Sequence, residues 1–444
     1  MASSLWQTVT SLGRRAPEQQ QQQDQQQEPQ QPTATTTTST MDDPPLPKKM
    51  KQWTTALDGL GKLAQSEVDV PEPRDGEVLV RIEAVSLNYR DTEVIKGEYN
   101  HFPSLLAPGE SIVPCSDMAG TVVVSRAPAD AQLPVGARVI SVFLQDHLTE
   151  PLRPEALASG LGYPLPGVLC QYRVFPARGL VRCPAYLAPA EAATLPVAAV
   201  TAWTSLNWMR PLGAHVGTAD AGCADKGKGK DEIKNKETER RTALVQGTGG
   251  VAIAGLQQAH AAGMRTIVTS SSDAKLARAR DELGADAGVN YRTYWQWQEP
   301  VMDATDGRGA DVIFETGGAR TLRKSFASVA FGGVINCIGY LSGKLDDGDD
   351  NNGEGGGGGG GGDGDKTPQL HRLNVNVLAL RRNVTLRGII NGPKDRFEEM
   401  LGFYEDKKIK PVVDKVFAFD DVKDALDYLV KGKHFGKVVI QVAE

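Results

Sequence analysis

The eight residues VQGTGGVA, Val245 to Ala252, decide how this chain is read. Before them stands TALVQG (242–247), a nearly unbroken apolar run of strand length, and residues 251–262 after them are compatible with a helix. Gly247-x-Gly249-x-x-Ala252 is the G-x-G-x-x-G/A form of a dinucleotide loop, set between a strand and a helix as that loop requires. Gly247 permits the tight turn and Gly249 lets the backbone approach a pyrophosphate. Ala252 is small enough for the helix to pack on the strand. The helix opening near Gly250 offers unpaired N–H groups and a partial positive charge to the anion. Thr248, Gly250 and Val251 complete the loop.

Downstream the rhythm repeats. TIVTSS (266–271) leads into the helical DAKLARARDELGA (273–285), followed by AGVNY (287–291), DVIFETG (311–317) and GVINCIG (333–339); a helix-compatible segment, 189–208, precedes the loop. Apolar strands alternating with helices specify βαβ units and a parallel sheet. An NAD site needs an acid about 20 residues after the glycine loop to accept bonds from the ribose 2′-hydroxyl. Here Ser270, Ser271 and Ser272 stand there, with no carboxylate before Asp273. Serines can donate to a 2′-phosphate, and Lys275 and Arg280 can supply charge, so NADPH is the expected cofactor. Ser272 is also placed to cap the helix that starts at Asp273.

Upstream, residues 51–180 carry EVLVRIEAV (77–85), MAGTVVVS (118–125) and ARVISVF (137–143) between Gly and Pro turns, the pattern of a mostly β domain. After Pro393 a helix at 395–406 and the strand KVVIQV (437–442) read as a closing lobe. Residues 1–49, with glutamine and threonine runs, read as a disordered tail. Residues 218–240 and 344–370, the latter holding Gly355 to Gly362, read as flexible inserts. The first insert precedes a strand, at the end of the sheet remote from chemistry.

A net charge of −6 argues against a generally basic surface for nucleic acid or membrane. No apolar run approaches the roughly 20 residues of a membrane span. The five cysteines are scattered without a CxxC pair, which disfavours a disulfide framework or zinc lobe and points to reducing, cytoplasmic surroundings. The first fifteen residues carry Arg14 and Arg15, no acid, and Leu5, Val9 and Leu12 on one helical stripe, as a mitochondrial presequence would; a plain tail is the other reading.

With SLNYRD (86–91), PCSDMAGTV (114–122), LPVAAVTAWTSL (195–206), VQGTGGVA, TSSSDAKL (269–276), LGADAGVNYR (283–292) and GKHFGKVVI (432–440) in view, the chain resembles the medium-chain dehydrogenase/reductase superfamily, on its zinc-free, quinone-oxidoreductase-like side. The resemblance implies an α/β architecture: a doubly wound parallel Rossmann sheet (181–392) inserted in a GroES-like, mostly β catalytic domain (50–180 and 393–444). It also implies association of two copies through their Rossmann sheets. Zinc enzymes of the superfamily place a cysteine ligand where this chain has Asn88, and a His-Glu pair where it has Ser116 and Asp117. Catalytic zinc takes three ligands from Cys, His and Asp/Glu, so no metal is expected. Without a Lewis acid a plain ketone is harder to polarise. A conjugated carbonyl or quinone spreads the charge over an enolate that hydrogen bonds can hold.

The resemblance places Asn88, Tyr89 and Asp91 at the cleft floor, with Asn88 donating to a substrate oxygen and Tyr89 or Tyr99 delivering a proton; a satisfied turn or helix cap is the other reading of Asn88 and Asp91, and ordinary packing that of the tyrosines. Thr201 would lie under the nicotinamide and Tyr291 at the adenosine phosphate. Gly317, Ile338 and Gly339 would border the nicotinamide half, and Phe435 and Lys437 would complete the cleft, with a surface charge as the other reading of Lys437. The alternatives are alcohol or aldehyde chemistry, which the missing zinc ligands oppose, and an NADPH-binding protein with little catalysis.

Overall fold

The computed structural model describes residues 46–443 apart from 100, 102–106, 108–109, 208–239 and 344–372. The tail expected over 1–49 and both expected inserts fall almost wholly outside them. The first strand begins at Lys49, two residues before order was expected. β1 (Lys49–Thr54) and β2 (Ala64–Asp69) form an antiparallel pair. β3 (Glu77–Leu87) is long and almost wholly buried because apolar side chains fill both of its faces. It pairs antiparallel with β4 (Asp117–Ser125) and β6 (Tyr172–Pro176), and β5 (Arg138–Ser141) lies between β4 and β7 (Leu180–Arg182). Between β3 and β4 runs α1 (Tyr89–Lys96). Asn88 stands at its N-cap in extended backbone, and the Asp91 carboxylate reaches back to the Asn88 N–H at 2.7 Å. Gly97, at φ 72°, ends it.

The chain then enters α2 (Pro189–Ala192), a turn of π-helix (Leu195–Ala199) and α3 (Val200–Leu206). β8 (Thr242–Gln246), α4 (Gly250–Ala261), β9 (Arg265–Ser270), α5 (Asp273–Leu283) and β10 (Ala287–Asn290) follow in βαβαβ order. The second half adds α6 (Gln298–Asp303), β11 (Ala310–Glu315), α7 (Leu322–Ser328), β12 (Val329–Cys337), α8 (Val375–Arg382) and β13 (Thr385–Gly388). The strand order is β10-β9-β8-β11-β12-β13, all parallel. This is the doubly wound arrangement, and its order reverses between β8 and β11, where a crevice opens at the carboxyl ends of the strands. The glycine loop leaves β8 at that point. Ala252 is buried, as expected, and α4 also packs tightly at Gly255, where a Cβ would stand 2.7 Å from the Phe314 ring.

α9 (Lys394–Lys407) packs on α3, with Phe397 and Phe403 in the core that also holds Trp203. β14 (Val413–Ala418), α10 (Val422–Val430) and β15 (Lys437–Gln441) return to the first sheet, where β15 pairs antiparallel with β3 and parallel with β14. That return carries the C-terminal strand past the glycine loop. Gly436 N–H donates to Thr248 O at 3.0 Å, joining β15 to the loop.

Candidate active site

The loop Gly247 to Val251 has the geometry its sequence calls for. Gly247 sits at φ +81°, a conformation costly for other residues, and its N–H donates to Thr269 O at 2.9 Å. Gly249 is the N-cap of α4 in extended backbone, and the amides of Gly250, Val251 and Ala252 precede the first helical bond, Ile253 N–H to Gly249 O. A Cβ on Gly249 would meet nothing nearer than His434 Nε2 at 4.0 Å, so open space stands over the backbone there. Gly250 is glycine for another reason. Its Cβ would lie 2.6 Å from Lys437 Cδ and 3.2 Å from Ala198 Cβ.

Lys437 connects this loop to the catalytic floor. It is 6% exposed, so the surface-charge reading of it fails; β15 carries it inward between the two sheets. Its ammonium donates to Leu87 O at 2.7 Å and Asn88 Oδ1 at 2.5 Å, and lies 3.9 Å from Asp117 Oδ2. Asp117, fully buried, also accepts from Ser116 Oγ at 2.7 Å and from Val197 N–H at 3.2 Å, in the π-helical turn. Burial pushes the Asp117 carboxyl up and the Lys437 ammonium down, each partly offset by the other. An ammonium has only donors, so it fixes the Asn88 amide with Oδ1 toward the lysine. The donor end, Nδ2, is buried and faces the Asp117 carboxylate, whose charged form it favours.

Asp91 is a capping residue with no exposure rather than a group open to the cleft. Desolvation raises its carboxyl to about 6, against the pull of Arg90 and the Asn88 N–H. The native chain therefore holds a proton on Asp91 that the unfolded chain releases down to pH 3.8. The stability this gives is full below that value and lost as pH rises through about 6. Urea unfolding at pH 5 and pH 7.5 should show the wild type gaining roughly 1–2 kcal/mol at the lower pH over Asp91→Asn. Equal slopes for the two proteins would show that Asp91 titrates normally.

Tyr89, at the first position of α1, is 49% exposed, whereas Tyr99 is half-buried with the Arg90 guanidinium 4.7 Å from its ring centroid. Burial raises both phenols. Sequence reasoning missed Tyr340, three residues past β12. Its hydroxyl donates to the Glu93 carboxylate at 3.0 Å and lies 2.7 Å from His101 Nε2, tying the Rossmann side to α1. Asn391 was missed as well. Its amide donates to Thr201 Oγ1 at 3.3 Å and to Pro196 and Val197 carbonyls, bracing the π-helical turn. Thr201 itself is buried.

At the end of β9 the expected phosphate shell is partly occupied. Ser270 is buried and its Oγ accepts from Ser272 N–H at 3.3 Å; Ser272 caps α5 as expected, accepting from Lys275 N–H. Lys275 Nζ donates to Gly432 O at 2.9 Å and His434 O at 2.8 Å, which leaves one N–H for a ligand. Arg280 is a correction: α5 carries it seven residues beyond Asp273, about 10 Å along the axis from the start of that helix and away from the end of β9. Ser271 is partly exposed, while Tyr291 and Arg292 are exposed, and the Tyr291 N–H donates to Ser270 O. Past β11, Gly317 and Gly318 N–H both donate to the buried Glu315 carboxylate at 2.9 Å, and the Ile338 and Gly339 amides turn back onto Glu315 O. These bonds hold the strand ends that border the crevice.

Two family models match the chain: "Alcohol dehydrogenase GroES-like domain" over residues 74–185 and "Zinc-binding dehydrogenase" over residues 250–406. A zinc-type alcohol dehydrogenase-like protein of Schizosaccharomyces pombe is 36% identical over 388 residues, 87% of this chain and 97% of its own length. The 2-methylene-furan-3-one reductase of Solanum lycopersicum is 26% identical over 403 residues, 89% of this chain and 80% of its own. The crystal structure of a putative alcohol dehydrogenase from Sinorhizobium meliloti is similar at TM-score 0.69 and 35% identity, covering 89% of this chain and all of that one.

Proposed function

The chain belongs to the medium-chain dehydrogenase/reductase superfamily and is an oxidoreductase of that type, and on that premise we propose that it works without zinc, using NADPH to reduce a conjugated carbonyl or a quinone. The observation that carries this is Lys437. Its ammonium lies among Asn88 Oδ1, Leu87 O and Asp117. The position where zinc relatives hold Cys and His-Glu has Asn88, Ser116 and Asp117, a poor donor set for zinc. A divalent cation beside a buried ammonium would also be repelled.

The crevice suits a dinucleotide: Gly249 leaves space for a pyrophosphate, and the first amides of α4 have no helical acceptor. NADPH supplies the hydride when bound. Asn88 Nδ2 donates to the substrate oxygen, where negative charge develops as the hydride arrives. Lys437 stands one amide behind it and adds its field. Tyr89, the more exposed phenol, supplies the proton. Thr201, braced by Asn391, and the Gly317, Ile338 and Gly339 strand ends shape the nicotinamide side. Ser271, Tyr291, Arg292 and the remaining N–H of Lys275 face the 2′-phosphate.

The tomato relative named a reductase of a 2-methylene-furan-3-one, an enone, supports this substrate class. β13 is an edge strand among the described residues, with Leu386 and nearby Leu380 exposed, which supports pairing of two copies along that edge. Four unpaired cysteines among the described residues suit a reducing compartment such as the cytoplasm. No helix of the described residues is long and apolar enough to cross a membrane.

The test is oxidation of NADPH and NADH by the purified protein against quinones, enones and aldehydes, before and after dialysis against a zinc chelator. NADPH-dependent, chelator-resistant turnover of a conjugated acceptor is the expected result. Activity on aldehydes that the chelator abolishes would overturn the assignment. NADPH binding without turnover of any acceptor would make this a cofactor-binding protein.

A further inference from the structure

Outside the groups already assigned, one titratable side chain borders the open space over Gly249. His434 Nε2 is the atom nearest to where a Cβ on Gly249 would stand, 4.0 Å away, and His434 Nδ1 is buried with no hydrogen-bond partner. The imidazole is held there by its backbone: Lys275 Nζ donates to Gly432 O and His434 O, and two residues on, Gly436 N–H is bonded to Thr248 O. Phe435, next to it, is buried beneath the Arg278 guanidinium. The loop is therefore fixed at both ends, and its histidine is aimed at the phosphate-binding backbone.

We propose that His434 contacts the cofactor's pyrophosphate and takes up a proton from solvent as the dinucleotide binds; the proposal rests on the cofactor assignment above. The charged groups around the ring are Lys275 and Arg278 from α5, Lys437 from β15 and Asp414 from β14. Burial, with Lys275 and Lys437, holds the unliganded imidazole down to about 4, and Asp414 offsets them in part. His434 is therefore neutral at pH 6–7 in the free protein. A pyrophosphate brings two negative charges into hydrogen-bond reach of Nε2, which favours the imidazolium. Binding then draws a proton, and affinity rises as pH falls through the bound imidazole's titration and on toward about 4, where the free imidazole also charges.

The experiment is calorimetry of NADPH and of NADH binding at pH 6, in two buffers of different ionisation heat, on wild type and His434→Gln. The wild-type imidazole is followed by NMR in parallel. Proton uptake is expected with both nucleotides, since both carry the pyrophosphate. The imidazole signal should move to the charged position at saturation, and His434→Gln should lose the uptake and bind about tenfold or more weakly. Uptake seen only with NADPH belongs to its 2′-phosphate and overturns the proposal. So does an imidazole that stays neutral in the saturated wild type, a readout that needs no variant to fold. Wild-type protein that binds neither nucleotide overturns the cofactor assignment itself.

Discussion

Lys437→Met should lower the melting temperature by roughly 4–6 °C, the effect of a loss of about 3–5 kcal/mol. Methionine fills nearly the same volume, so packing against Gly250 and Ala198 survives and the charge alone is removed. What remains is a fully buried Asp117 carboxylate without its cation, together with Leu87 O and Asn88 Oδ1 without their donor. Asp117 then keeps Ser116 Oγ, the Val197 N–H and the Asn88 amide but no cation, and its carboxyl rises further. A folded-state acid raised above its unfolded value costs less as pH falls, so the deficit should be smaller at pH 5 than at pH 8. Lys437→Met with Asp117→Asn removes both charges and should recover most of the loss, because a buried pair replaced as a unit is often neutral. A double variant no more stable than the single one would show that Asp117 is not the partner that matters. Activity should fall in both, since the Asn88 amide loses the ammonium that orients it.

The cofactor domain was legible because its signals are local and repeated. VQGTGGVA, the apolar strands and the serine at the N-cap of α5 each specify backbone geometry within a few residues, and β8 to β12 lie within a few residues of their expected places. The π-helical turn inside the helix expected over 189–208 carried no such signal. It depends on the Asp117 carboxylate and Asn391 amide that brace it from 80 and 194 residues away. β13 and β14 were missed because they are short and half-exposed, and neither alternates cleanly. α10 has Val422, Ala425, Leu426 and Leu429 at helical spacing, a pattern that was present and went unused. At the site, Asn88 and Asp91 were found through their motif, and a helix cap was one of the two readings open for them, the one Asp91 takes; that Lys437 orients Asn88 was not found. That lysine lies 349 residues from Asn88, and its burial is a product of β15 pairing with β3. Tyr340 and Asn391 follow strands whose neighbours are fixed only by sheet order, so no local spacing marks them.

Gly249→Ala should separate folding from binding. At φ −82° and ψ −174° the backbone is open to any L-residue, and the new methyl would find nothing closer than His434 Nε2 at 4.0 Å. The protein should fold and melt within a few degrees of the wild-type temperature, since the roughly 0.4–1 kcal/mol that Gly→Ala gains through the unfolded chain is offset by the poorer N-cap alanine makes. The same methyl occupies the space in which a pyrophosphate would lie against the loop. Overpacking of about 2 kcal/mol corresponds to roughly thirtyfold weaker cofactor binding. Gly247→Ala makes the contrast: at φ +81° it should lose roughly 1–2 kcal/mol of stability, although nothing crowds its Cβ. Titration of NADPH fluorescence beside thermal melts of the three proteins tests the pair of expectations. Undiminished binding by Gly249→Ala would mean that the dinucleotide does not approach this backbone, and the glycine loop would then owe its form to folding alone.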